Sequence, residues 1–113
     1  MKYKFTTTPY KQKNIKMYGV DILDNSIESL RQISWQGWTS EEIQKIIDKS
    51  KSLRGDQDYK YQVPGSDLLI NIYPDEVYFF DYRTEQEEED FSWTFEEFIN
   101  FMEKFKEFVK DNS

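Results

Sequence analysis

Tyr59-Lys-Tyr-Gln-Val-Pro-Gly-Ser-Asp-Leu-Leu-Ile-Asn-Ile-Tyr-Pro-Asp-Glu-Val-Tyr-Phe-Phe-Asp-Tyr82 decides the fold. Tyr59 to Val63 has the aromatic and β-branched composition of a strand. Pro64-Gly65 then supplies the pre-set φ and the positive-φ residue that a type II turn requires. After the turn Leu68, Ile70 and Ile72 alternate with Leu69, Asn71 and Tyr73. Beyond Pro74-Asp-Glu76, Val77 and Phe79 alternate with Tyr78, Phe80 and Tyr82. The period is that of strands, and the short punctuation predicts an antiparallel meander. Both sets of side chains are apolar enough to predict central strands covered, at least partly, on each side.

Downstream, the acidic run Glu85 to Asp90 leads to Thr94-Phe-Glu-Glu97, a capping box that opens a helix over 94–111. Phe95, Phe98, Ile99, Met102, Phe105 and Val109 form its apolar stripe. Phe101 and Phe108 widen that stripe beyond what one sheet face normally covers. The surplus leaves homodimerisation open beside a monomer.

Upstream, Thr39-Ser-Glu-Glu42 is a second capping box. Ile43, Ile46, Ile47 and Leu53 continue a stripe towards Gly55, predicting a helix over 40–53. Asp24-Asn-Ser26 offers N-cap residues for a short helix over 27–34, in which Ile27, Leu30 and Ile33 recur at helical spacing. Period-two alternation suggests further strands at 2–7 and 17–22. The expected architecture is a single α+β domain, residues 1–113. It has a mainly antiparallel sheet of three to five strands (59–63, 67–73, 77–83, with 2–7 and 17–22 as additions) and three helices mostly on one face.

Composition excludes much chemistry. The 113 residues contain no Cys and no His, which removes disulfides, thiolate nucleophiles, imidazole bases and the common zinc sites. The four glycines at 19, 37, 55 and 65 are isolated, so no phosphate-cradling loop is present. Asp56-Gln-Asp58 continues into Tyr59-Lys60 without the glycine that an EF-hand loop needs, and is read as a turn. No enzyme, metal or cofactor is expected. The N-terminus lacks the apolar run of a signal peptide and the longest apolar stretch is Val77 to Phe80. The expectation is therefore a cytoplasmic protein without membrane contact. Nine Phe, eight Tyr and three Trp must form most of the core, since each ring buries roughly 150–250 Å².

Charge is spread unevenly. Residues 1–60 carry 11 Lys or Arg against 8 Asp or Glu, and residues 61–113 carry 4 against 14, so the net charge of −7 arises in the second half. Lys11, Lys13 and Lys16 lack interleaved stacking aromatics, and the global charge opposes nucleic acid as a partner. The acidic half invites a basic one. Asp75, Glu76, Asp81, Glu85, Glu87, Glu88, Glu89 and Asp90 are candidate contact carboxylates, with Tyr78, Tyr82 and Phe91 as aromatic anchors beside them. A solvated loop is the plainer reading of the Glu run, and core packing that of Phe79, Phe80 and Trp93. Trp35 and Trp38, flanking Gly37, read either as a staple that packs the turn or as a second contact patch.

The unit from Tyr73-Pro-Asp-Glu-Val-Tyr-Phe-Phe-Asp-Tyr82 through Trp93-Thr-Phe-Glu-Glu-Phe-Ile-Asn-Phe-Met102 resembles small immunity proteins of bacterial polymorphic toxin systems, including contact-dependent growth inhibition. The likeness covers about a third of the chain. It implies a protein that binds a cognate toxin domain, of nuclease type, and masks its active site. Competing expectations are an adaptor that docks through Trp35, Trp38 or the last helix, an acidic DNA mimic, and an enzyme using a carboxylate pair.

Overall fold

In chain order the elements are β1 (Tyr3–Tyr10), β2 (Gln12–Ile22), a 3₁₀ helix (Asn25–Ile33), α1 (Ser40–Lys51), β3 (Tyr59–Gln62), β4 (Leu68–Ile72), β5 (Glu76–Asp81), a 3₁₀ turn (Tyr82–Thr84), β6 (Phe91–Thr94) and α2 (Phe95–Asn112). They come from a computed structural model that describes residues 2–10, 12–84 and 88–113. The class is α+β, as expected. Gly65 has φ +73° and the Ser66 amide donates to the Val63 carbonyl at 3.2 Å, so Pro64-Gly65 makes the type II turn its residues dictate.

The main sheet is an antiparallel meander in the order β3-β4-β5-β6. Its fourth strand is β6, in a segment with no strand expected. Phe91 and Trp93 alternate there with Ser92 and Thr94, but the run is too short for its period to register. The N-terminal strands instead pair with each other as a separate hairpin, longer than the 2–7 and 17–22 expected. The hairpin is tied to the segment after the 3₁₀ helix by two backbone hydrogen bonds of 3.1 Å between Tyr18 and Trp35. Gly19 permits that approach: a Cβ there would run into Ser34 Oγ and lie 3.0 Å from Ser34 Cα.

Asn25–Ile33, where a short helix over 27–34 was expected, is a 3₁₀ helix interrupted at Ile27 (φ −120°, ψ 29°). Ile27, Leu30 and Ile33 are spaced by three, which suits 3.0 residues per turn as well as 3.6, and all three are buried. The caps are sound. Asp24 accepts from Ser26 N, Thr39 accepts from Glu42 N, and at Thr94 both arms of the box close. Glu42 gives its carboxylate to the Tyr61 hydroxyl rather than to its own cap.

Helices and hairpin cover one face of the meander. Leu68, Ile70, Ile72, Val77 and Phe79 point into that layer and are essentially inaccessible. The breadth of the α2 stripe now has its reason. Phe98, Phe101, Met102, Phe105 and Val109 are buried, and Phe5 of the hairpin covers the flank with ring centroids 5.5 Å from Phe101, Phe105 and Phe108. Trp38 closes the core between α1 and α2, edge-on to Phe105 at 5.4 Å, with its Nε1 donating to the Ile33 carbonyl at 2.7 Å. No helix among the described residues is long and apolar enough to cross a membrane.

Candidate partner-binding face

Strand alternation sends the second set of side chains to the opposite face of the sheet. Lys60, Asn71, Tyr78 and Ser92 stand in one cross-strand row, and Gln62, Leu69 and Phe80 in the next. At least partial cover on each side was expected, and all five residues of β4 are buried while this face of β5 is only half-buried. Lys60, Gln62 and Ser92 are exposed and Glu76, Tyr78 and Phe80 half-buried, because the helices and the hairpin all pack on the other side. Leu69 and Asn71 are each 9% exposed.

Rings give this face its relief. Tyr73 meets Tyr78 edge-on at 5.8 Å, and Phe80 lies nearly parallel to exposed Tyr82 at 6.4 Å. Between them is an open depression of about 520 Å³ lined by Asn71, Tyr73, Asp75, Tyr78, Phe80 and Glu89. Asn71 donates from Nδ2 to the Tyr73 hydroxyl at 3.2 Å, while its Oδ1 has no partner among the described residues. Glu76 accepts from Ser92 Oγ at 3.1 Å. Partial burial raises the Tyr78 pKa, and the charges of Glu76, Asp75 and Glu89 push it further in the same direction. The potential here is negative.

The expected contact residues divide. Asp75, Tyr78 and Glu89 come together at the depression, with Glu76 beside Tyr78 on β5, Tyr82 next to Phe80 and Glu88 exposed beside Glu89. Glu85 and Glu87 lie outside the described residues. Asp81 belongs to the covered face: it is 6% exposed and held by Arg83, whose Nη2 donates to Oδ2 at 2.7 Å. Asp90 spends Oδ2 on the Asp81 amide at 2.6 Å and closes the loop before β6. Phe91, half-buried, is stacked 4.3 Å from Phe79 on the core side, away from the depression. Trp38 is buried, and half-buried Trp35 packs edge-on against it at 5.2 Å, the arrangement a staple requires.

Sequence reasoning missed Asn71 and Tyr73 and assigned Phe80 to the core. One signal was available: Asn71 is the sole polar residue in Leu68-Leu-Ile-Asn-Ile72, an arrangement that strands retain when the amide has something to bond. Among the described residues no three carboxylates gather closely enough to hold a metal ion. The arrangement offers hydrogen-bond acceptors, ring faces and negative charge on a rigid sheet. No protein-family model, curated protein or solved structure matches this chain.

Proposed function

We propose that this protein is a non-enzymatic inhibitor that seats a basic protein domain on the open face of its meander, and that the domain is the nuclease part of a bacterial toxin. One observation carries the reading: Asp75 and Glu89 line a depression with Tyr73, Tyr78 and Phe80, and Glu76 stands beside Tyr78 on β5, on a face that no other layer among the described residues covers. Half-exposed rings framed by carboxylates are what a tight interface with a cationic partner uses, the rings for desolvated contact and the charges for steering. Gathering them in one place favours a folded partner over DNA mimicry, which needs carboxylates spaced along an extended surface. The toxin identity rests on the likeness of the acidic strand-loop-helix unit to immunity proteins.

The test is a titration of the purified protein against the product of the neighbouring upstream open reading frame, at low and high salt, with nuclease activity assayed in parallel. A one-to-one complex that loosens with salt and silences the nuclease is expected. Absence of a complex at both salt concentrations overturns the reading.

A further inference from the structure

β1 is hydrogen-bonded along one side only: its partner is β2, and no other described strand lies along its far edge. The ladder fixes which backbone groups turn outward. Leu23 N donates to the Lys2 carbonyl at 2.9 Å, and bonded pairs alternate along an antiparallel register, so Lys4, Thr6 and Thr8 spend their N–H and C=O groups on Asp21, Gly19 and Met17. Tyr3, Phe5 and Thr7 direct theirs to the open edge. Tyr18, across from Thr7, checks this parity, because its N–H and C=O point away from β1 and bond to Trp35. Pro9, next in the same parity, has no N–H to leave unpaired, as suits a free edge. Beside this edge lies a groove of about 380 Å³. Its walls are the rings of Tyr3, Phe5, Trp93 and Phe101, with Tyr3 edge-on to Phe101 at 5.1 Å and Trp93 at 5.2 Å from Phe101. Lys2 and Lys104 flank it, both exposed and neither in an ion pair among the described residues. Glu97 is the one carboxylate among the described lining residues, and its Oε1 accepts from the Thr94 amide.

We infer that β1 is the receiving edge for an extended segment of a partner protein, which joins the hairpin as a third strand, lowers one bulky apolar side chain into the ring-walled groove, and sets an acidic residue two positions away beside Lys2 and Lys104. The outward N–H and C=O groups of Tyr3, Phe5 and Thr7 supply the main-chain bonds, and the groove supplies the choice of side chain. Residues two apart on a strand share a face, so the apolar and the acidic side chain both turn towards α2. Charge complementarity selects the acid: two unpaired ammonium groups rim the groove on a chain whose net charge is −7. A second copy of this strand fits poorly, since it would bring Lys2 and Lys4 of its own to the same place. Trp93 and Phe101 lie on the helix side of the meander and the acidic depression lies on the other, so this site goes beyond the proposed function and both can be filled at once.

The experiment titrates the peptide acetyl-Thr-Val-Thr-Phe-Thr-Glu-Thr-amide into the whole ¹⁵N-labelled protein and follows the backbone amides of β1. Three control peptides accompany it: one with Lys for Glu, one with Ala for Phe, and one N-methylated at Phe and Glu, the residues whose N–H groups would face the edge. Saturable downfield shifts and slowed solvent exchange are expected at Tyr3, Phe5 and Thr7, with Lys4 and Thr6, already bonded to β2, changing little. The Lys peptide should bind several-fold more weakly, and the Ala and N-methylated peptides should fail to saturate. Lys104→Glu, at an exposed unpaired position, should weaken the parent peptide on the order of tenfold and turn the preference towards the Lys peptide. Thr7→Pro, which removes an outward N–H but no bond to β2, should weaken it as well.

No shift at Tyr3, Phe5 and Thr7 with peptide in large excess overturns the strand site. Undiminished binding of the N-methylated peptide also overturns it, and would leave only a groove for apolar side chains. Equal affinity for the Glu and Lys peptides removes the acidic partner, and with it the inference. Shifts of the same amides with protein concentration alone would put a second copy of the chain at the edge and overturn it too. None of these outcomes bears on the toxin complex, which forms or fails on the other face.

Discussion

The Asp81 carboxylate accepts from Arg83 three ways: from the backbone amide at 3.0 Å, from Nε at 3.1 Å and from Nη2 at 2.7 Å. A carboxylate that caps the turn at the end of β5 is a structural group, although it sits within the most acidic stretch of the chain. The same contacts fix its response to pH. Hydrogen bonds from Arg83 hold the Asp81 carboxyl well below the usual carboxylate range, outweighing the opposing effect of burial. With the folded pKa depressed, the stabilisation is present above the unfolded value of about 3.9 and is lost as pH falls from there towards the folded value. Asp81→Asn is expected to lower the denaturant midpoint at pH 7 and to flatten its fall below about pH 4. Midpoints measured across pH 2–7 check this, and parallel curves for the two proteins would refute it.

Gly19 and Ser34 meet beside the bridge that ties the hairpin to the segment after the 3₁₀ helix. A methyl at position 19 meets Ser34 Cβ at 2.9 Å and Ser34 Cα at 3.0 Å, so a side-chain rotation cannot relieve the overlap. Gly19→Ala should therefore strain the Tyr18–Trp35 bridge and cost about 1–3 kcal/mol in chemical denaturation. Adding Ser34→Gly should recover part of the loss, since only the Oγ and Cβ contacts disappear. Equal stability of Gly19→Ala and the parent protein would mean that the seam is looser than drawn.

The meander and the two α-helices were legible because local signals agreed: period-two runs bounded by Pro-Gly and Pro-Asp-Glu, and capping boxes ahead of apolar stripes. The first helix was less so, since Ile27, Leu30 and Ile33 satisfy a 3₁₀ repeat as well as an α repeat. Four residues of β6 carry too little period to be recognised. At the candidate site the limit is different in kind. Tyr78 and Phe79 are adjacent aromatics on one strand, and only the packing of α2, through Phe98, and of the 3₁₀ helix on the Phe79 side of β5 determines that Tyr78 faces outward. For Asp81 and Phe91, acidic or aromatic identity suggested contact, whereas their parity along β5 and β6 turned both to the covered side.

Thr94 joins the sheet to the helix that completes the core. Its hydroxyl accepts from Glu97 N at 3.1 Å and its amide donates to Glu97 Oε1 at 2.9 Å. Thr94→Ala is expected to destabilise by about 1 kcal/mol, and Thr94→Asp by less, because a carboxylate still accepts from the N3 amide. Thermal unfolding of the two variants side by side reads the difference.

Tyr61 presents an alkaline counterpart to Asp81. Its ring lies against Trp38 at 5.9 Å and its hydroxyl donates to Glu42 at 3.2 Å; burial raises its pKa most, and the Glu42 charge adds to it. A raised folded pKa means that stability is full below the unfolded tyrosine value of about 10 and is lost as pH rises above it. Tyr61→Phe should lose the hydrogen bond at neutral pH yet show a shallower decline between about pH 10 and 12. Absorbance at 295 nm should meanwhile report one fewer late-titrating phenol. A decline as steep as the parent's would exclude Tyr61 as its source.

Asp75 and Glu89 are exposed, line the depression, and have side chains that make no hydrogen bond or ion pair among the described residues. Reversing both charges, Asp75→Lys with Glu89→Lys, therefore removes nothing that holds the fold, and stability should stay within about 0.5 kcal/mol of the parent. A basic partner would feel the change at once. Two attractive charges become repulsive, so association slows, affinity falls on the order of tenfold or more, and the salt dependence of binding flattens. Asp58→Lys with Glu107→Lys, an equal change of net charge at exposed positions away from the depression, serves as the control and should weaken binding far less. Binding of the double variant as tight and as salt-sensitive as the parent's would move the interface off this face, whatever the partner proves to be.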